Sequence, residues 1–213
     1  MLYFSQDADE PTTIQRPQAT DPTKGNSNVP VVTIHEQEPP KQSRNPESSV
    51  KTCTMIGHSG PVTAMSINYN STYLVSASTD SDIRLWDLTL GICIAVYKSH
   101  LRTVWTIDFC PLGTHFASGG SDHGIFIWST QQPMPIHCLI GHNEEILQVK
   151  FTQNRKYLGS ISSDRTFRLW GLDDGSLKRI FVVGETPSCF SMDTNSEFVI
   201  IGTILGNVFV YNL

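Results

Sequence analysis

A serine, a histidine and an aspartate at fixed separations are the parts of a hydrolytic relay. In it the imidazole takes a proton from the hydroxyl, and the carboxylate orients the imidazole. This chain carries such a set three times. His58, His100 and His142 recur every 42 residues, as do Asp80, Asp122 and Asp164, and Trp86, Trp128 and Trp170. Serines accompany them at Ser76, Ser118 and Ser160. A catalytic device is needed once, whereas a structural fastener is needed in every repeat, so the triplication favours a fastener. A buried indole N–H must find an acceptor. A serine hydroxyl can accept from it and donate to a histidine, which can donate to an aspartate. The expected chains are Trp86–Ser76–His58–Asp80, Trp128–Ser118–His100–Asp122 and Trp170–Ser160–His142–Asp164. Ser78 and Ser162 are rivals for the serine position, but the second repeat has Gly120 there. The earlier serine is therefore preferred in all three.

Other chemistry is not legible. There is no phosphate-binding loop and no Gly-x-Ser-x-Gly sequence. Gly119-Gly120-Ser121-Asp122 reads as a turn between strands, where glycine supplies permissive backbone angles. His35, His115, His123 and His137 share no metal-ligand spacing. The five cysteines, Cys53, Cys93, Cys110, Cys138 and Cys189, are odd in number and widely spaced, a poor disulfide framework or zinc site. They read as small buried thiols in a reducing compartment. No catalytic residue, metal or cofactor is expected.

The elements that position the repeated residues are short. From Lys51 onward, apolar-alternating runs such as Ser71–Ser78 and Ile83–Trp86 are punctuated by Gly, Asp, Asn and Ser. Runs of this kind are strands. Residues 1–50 differ: they hold seven of the twelve prolines and one glycine. They are expected to form a disordered arm or a long interblade loop, and Val29–Ile34 within them reads as ordinary solvated linker in preference to a short docking motif. Net charge is −5, split as −3 over residues 1–50 and −2 over 51–213, so direct binding of nucleic acid has little support. No run of 18 apolar residues occurs, and the first residues lack the pattern of a secretory signal.

A period near 40–45 residues with a Gly-His start and a Trp-Asp end marks a propeller blade. The chain resembles the WD40 repeat family through Gly57-His58 with Trp86-Asp87, Ser99-His100 with Trp128-Ser129, and Gly141-His142 with Trp170-Gly171. A fourth, degraded unit has Tyr211 in place of the Trp. Val104-Trp105, the run Ser118–Asp122 and the ending Trp128-Ser129-Thr130 are more selective. With them the pattern resembles the propellers of TFIID- and SAGA-type transcription subunits. That resemblance implies a non-enzymatic nuclear scaffold that supports histone-fold and other transcription-complex subunits without reading DNA sequence. An adaptor role in another assembly, such as a ubiquitin ligase substrate receptor, is the alternative.

The expected fold is therefore all-β, with about four four-stranded antiparallel blades in an open or incomplete propeller. The repeat domain spans 51–213, with units at about 51–91, 92–133, 134–175 and 176–213. Each unit is expected to contribute an outer strand, then three inner ones, so Thr52–Ile56 is the first outer strand and Asn207–Asn212 the last inner one. The loops after each His are the candidate docking surface. Arg102, Trp105, Glu144 and Glu145 are its candidate contacts, Trp105 either as an interface anchor or as packing between blades.

Overall fold

The computed structural model describes residues 53–213, which form fifteen strands and no helix. The expected arm at 1–50 lies outside these residues. Alternation of apolar and polar side chains makes each run a strand, and tight turns reverse it. The first sheet is a meander of β1 (Val62–Ile67), β2 (Tyr73–Ser78), β3 (Ile83–Asp87) and β4 (Ile92–Tyr97). The second contains β5 (Val104–Phe109), β6 (His115–Gly120), β7 (Ile125–Ser129) and β8 (Gln132–Leu139). The third contains β9 (Ile146–Phe151), β10 (Tyr157–Ser162), β11 (Thr166–Gly171) and β12 (Leu177–Val182). The fourth has three strands, β13 (Pro187–Met192), β14 (Phe198–Thr203) and β15 (Val208–Asn212). All pairings are antiparallel.

Each strand shows two faces. In β2, Val75 and Ala77 point toward the second sheet, while Leu74 and Ser76 point the other way. The core is consequently a series of joints between sheets. Val75, Ile83, Leu85 and Tyr97 of the first sheet pack on Val104, Phe109, Phe116 and Trp128 of the second. Ala117, Ile125 and Ile127 meet Ile146, Val149 and Trp170 at the next joint. Ile161, Phe167 and Leu169 meet Phe190, Val199 and Ile201 at the last. Burial of these apolar faces is the main stabilising term, at about 25 cal/mol per Å² removed from water. Among the described residues the series does not close into a ring.

Two expectations need correction. From the second unit onward each sequence unit does supply an outer strand and then three inner ones, but that outer strand completes the preceding sheet, as β4 completes β1–β3, so the first outer strand expected at Thr52–Ile56 has no sheet to join. Residues 53–56 therefore form no strand, because no sheet among the described residues precedes them, and the fourth sheet lacks its outer strand. Of the five free cysteines, only Cys110 is buried; Cys53, Cys138 and Cys189 are exposed and Cys93 is intermediate. Cys138 sits on the outer strand β8, and Cys189 on a face of β13 that no other sheet among the described residues covers. Among the described residues no helix is long and apolar enough to cross a membrane.

Candidate functional site

The repeated residues meet at one end of each of the first three sheets. The histidine lies in the loop before the first strand, the serine in the second strand, the aspartate in the following turn and the tryptophan in the third strand. In the first sheet Trp86 Nε1 donates to Ser76 Oγ at 2.8 Å, and Ser76 Oγ lies 2.7 Å from His58 Nε2. His58 Nδ1 lies 3.0 Å from Asp80. The second sheet repeats this with Trp128–Ser118 at 2.8 Å, Ser118–His100 at 2.7 Å and His100–Asp122 at 2.9 Å. The third gives 2.9, 2.8 and 2.8 Å for Trp170–Ser160, Ser160–His142 and His142–Asp164. The proton order that satisfies every atom has serine accepting from tryptophan and donating to histidine, with Nδ1–H donating to the carboxylate.

Each aspartate also organises backbone. Its carboxylate accepts from the amide after the histidine: Ser59 at 2.8 Å, Leu101 at 2.9 Å and Asn143 at 3.1 Å. It accepts again from the amide two residues on, at Asp82, Gly124 and Thr166. Between those points Ser81, His123 and Arg165 take left-handed backbone angles, with φ of 70°, 64° and 65°. Non-glycine residues adopt such angles at a cost that the surrounding bonds must offset. Burial opposes ionisation of Asp80, but the N–H groups of Ser59, Asp82 and His58 outweigh it and hold the carboxyl at about 2. Burial also opposes the downward shifts of Asp122, where His100 and the Leu101 amide prevail, and of Asp164, where Thr166 and His142 prevail. Burial lowers the His142 imidazole despite the opposing Asp164 carboxylate.

This arrangement leaves the three hydroxyls fully engaged in internal hydrogen bonds. Ser76, Ser118 and Ser160 are all buried, each already placed between an indole donor and an imidazole acceptor. The rival serines do something else. Ser78 donates to the Gly60 carbonyl and accepts from the Asp80 amide; Ser162 does the same with Glu144 and Asp164. In the second repeat a side chain is excluded, because a methyl group built on Gly120 would collide with the Thr103 carbonyl oxygen.

Of the candidate contact residues, Arg102, Glu144 and Glu145 lie in the loops after His100 and His142, while Trp105 is the second residue of β5. Arg102 and Glu144 are exposed and Glu145 is half-buried. Trp105 is 42% exposed, lies outside the buried clusters, and donates its indole N–H to Ser121 Oγ at 2.7 Å. No hydrogen bond or ion pair among the described residues joins Arg102 to Glu144 or Glu145. Among the described residues no group of three or more His, Cys, Asp or Glu side chains is placed to hold a metal.

Two sets of residues escaped the sequence reading. Between sheets, Ser66 Oγ, Asp108 Oδ2 and Gln148 Oε1 accept from the amides of Phe109, Phe151 and Phe190. They are different residue types at two strand positions, so spacing alone does not mark them. In the fourth unit Ile201 occupies the serine position, and Glu185 ties the loop by accepting from Thr203 at 2.6 Å and Asn207 at 2.8 Å. The absence of a His–Asp pair there had concealed this substitute.

The sequence pattern of the family described as WD domain, G-beta repeat matches residues 49–87, 91–129 and 133–171. Transcription initiation factor TFIID subunit 5 of Caenorhabditis elegans is 24% identical over 78% of the chain and 26% of its own length. Protein SPA1-RELATED 4 of Arabidopsis thaliana is 26% identical over 69% of the chain and 20% of its own length. Human WD repeat-containing protein 18 is 26% identical over 72% of the chain and 38% of its own length. The chain thus spans between a fifth and two fifths of these relatives.

Proposed function

This chain belongs to the WD40 repeat family, and from that premise we propose that it is a non-enzymatic scaffold within a nuclear transcription complex of the TFIID or SAGA type. The carrying observation is the joint presence of two features. One is a set of rigid sheets whose polar tetrads are internally satisfied. The other is an exposed, hydrogen-bonded aromatic, Trp105, at the start of β5 beside the loop that follows His100. Rigid scaffolds that present loops are suited to recognition. An amphipathic aromatic ring held by one bond is a favoured interface anchor. The similarity to TFIID subunit 5, whose name places that protein in transcription initiation, supports the choice of assembly. Histone-fold subunits are the partners we assign to the rim. The three tetrads are, in this reading, fasteners that hold the loops, and the reaction chemistry of a Ser–His–Asp set is not used.

The test is purification of the tagged chain from nuclear extract, with identification of its companions. TFIID or SAGA subunits are expected, and their recovery should fall sharply for Trp105→Ala while the fold is retained. Recovery of ubiquitin ligase subunits without either assembly would overturn the reading.

A further inference from the structure

Corresponding positions at the first two joints lie 42 residues apart. At the second joint, between the second and third sheets, a long turn follows Trp170. Leu172 packs against the buried cluster of that joint, and Gly175, at φ 66°, ends the turn. A methyl group built on Gly175 would lie 3.2 Å from His137 Nδ1 and 3.3 Å from a Leu139 methyl, so the turn rests on the outer strand β8 of the sheet before it. The turn after Trp86 has the same form, with Leu88 and with Gly91 at φ 68°. In both, the glycine amide donates four residues back, to the Asp87 carbonyl at 2.8 Å and to the Gly171 carbonyl at 3.0 Å.

The first joint, between the first and second sheets, lacks these parts. Thr130 stands in the place of Leu172, Pro133 in that of Gly175 and Ala95 in that of His137. Proline cannot take the left-handed angle. A two-residue turn, Thr130-Gln131, joins β7 to β8 instead, and the Thr130 amide and hydroxyl both donate to the Thr114 carbonyl. Tyr97 takes the place of Leu139, but its ring packs edge-on against Phe116 and Trp128, and its hydroxyl donates to the Ser129 carbonyl. A groove of about 320 Å³ is left. Leu85, Ile94, Ala95 and Tyr97 line it from one sheet and Thr130–Pro133 from the next. Both walls thus belong to neighbouring sheets inside the series. Ile94 is 45% exposed. Among the described residues the side-chain amides of Gln131 and Gln132 make no hydrogen bond.

We propose that this groove seats a peptide turn of a partner protein, which inserts a leucine side chain between the first and second sheets as Leu172 is inserted between the second and third. The fold itself shows what covers such a place: a turn of the form Leu-x-x-Gly, present as Leu172–Gly175 and again as Leu88–Gly91. The inserted side chain buries apolar surface on Leu85, Ala95 and Tyr97. Gln131 and Gln132 offer donors and acceptors to the backbone that carries it. The groove lies at the opposite end of the second sheet from Trp105, whose indole is bonded beside the turn between β6 and β7. It is therefore a second docking place, and it stands or falls separately from the choice of transcription complex.

The test is titration of the full chain with a cyclic peptide carrying Gly-Leu-Asp-Asp-Gly-Ser, the sequence of residues 171–176, followed through the methyl resonances of Ile94, Ala95 and Thr130. Cyclisation holds the turn and lowers the cost of ordering it. Saturable shifts of those methyls are expected, with a Kd of about 1 mM or tighter. Alanine in place of the peptide's leucine should weaken binding at least about tenfold, a readout that leaves the protein unaltered. Ala95→His, which restores the residue of the second joint, should weaken it to a similar degree. A benzophenone side chain substituted at position 131 identifies any other occupant by photo-crosslinking. Absence of saturable shifts, equal affinity for the alanine peptide, or crosslinking of position 131 to residues 1–50 of the same chain or to a second copy would overturn the proposal.

Discussion

The indole nitrogen of Trp128 lies 2.8 Å from the hydroxyl of Ser118, and both side chains are fully buried. The same hydroxyl lies 2.7 Å from His100, so one oxygen serves two buried rings. Ser118→Ala removes it and leaves both rings unsatisfied. A buried polar group without a partner costs about 1–3 kcal/mol. Urea unfolding of the variant should show a loss in that range, and Ser76→Ala and Ser160→Ala should behave alike. Ser78→Ala, which affects only the Gly60 carbonyl and Asp80 amide, should cost less. Equal losses at positions 76 and 78 would count against the assigned roles.

Gly120 and Ser78 share a register position but not a space. Ser78 fits a hydroxyl between Gly60 and Asp80, while any side chain at Gly120 meets the Thr103 carbonyl. Gly120→Ala should therefore destabilise by about 1–3 kcal/mol through overpacking. Thermal unfolding should report a drop of about 2–4 °C per kcal/mol. An unchanged melting temperature would show that the loop of Thr103 yields freely.

Asp80 should contribute to acid sensitivity. Its carboxyl is held at about 2 in the folded chain, below the ordinary value of 3.8. The unfolded chain thus binds the proton more readily, so the contribution is present above the unfolded value and disappears as pH falls from 3.8 toward 2. Asp80→Asn should lower the urea midpoint at pH 7 and flatten its fall on acidification. A variant with the same acid profile as the parent would remove Asp80 from the account.

Asp108 behaves in the opposite sense. Burial raises its carboxyl to about 6, although the Phe151 and Phe109 amides and Lys150 favour ionisation. Here the folded chain binds the proton more readily between 3.8 and 6, so stability falls as pH rises through that window and the cost persists above it. A shift of about two pH units corresponds to roughly 3 kcal/mol as an upper bound. Asp108→Asn keeps an oxygen acceptor for the Phe151 amide, so it should raise stability at pH 7 and flatten the dependence between pH 4 and 6. A loss of stability at pH 7 would show that the ionised carboxylate is favourable.

Much of the site could be read before any coordinates. Trp, His and Asp recur in one register, and the needs of a buried indole dictate a hydroxyl between them. Ser76 and Ser78 are less easily told apart by sequence, because residues two apart share a face of a strand. Gly120 in the second repeat pointed to the earlier serine, and distances within the sheet separate the two roles. Ser66, Asp108 and Gln148 were illegible, since a carboxylate, an amide and a hydroxyl all accept the same backbone bond.

Apart from the segment 53–56, sequence alone determined the strands, their two faces and the tetrads. Those features depend on a side-chain period of two and on a repeat length, both of which are local or counted along the chain. Tertiary structure decided which sheet receives each outer strand, since backbone pairing is blind to repeat boundaries. It likewise decided which apolar rows are covered, because Ile83 and Val208 are equivalent in pattern and differ only in having a neighbour.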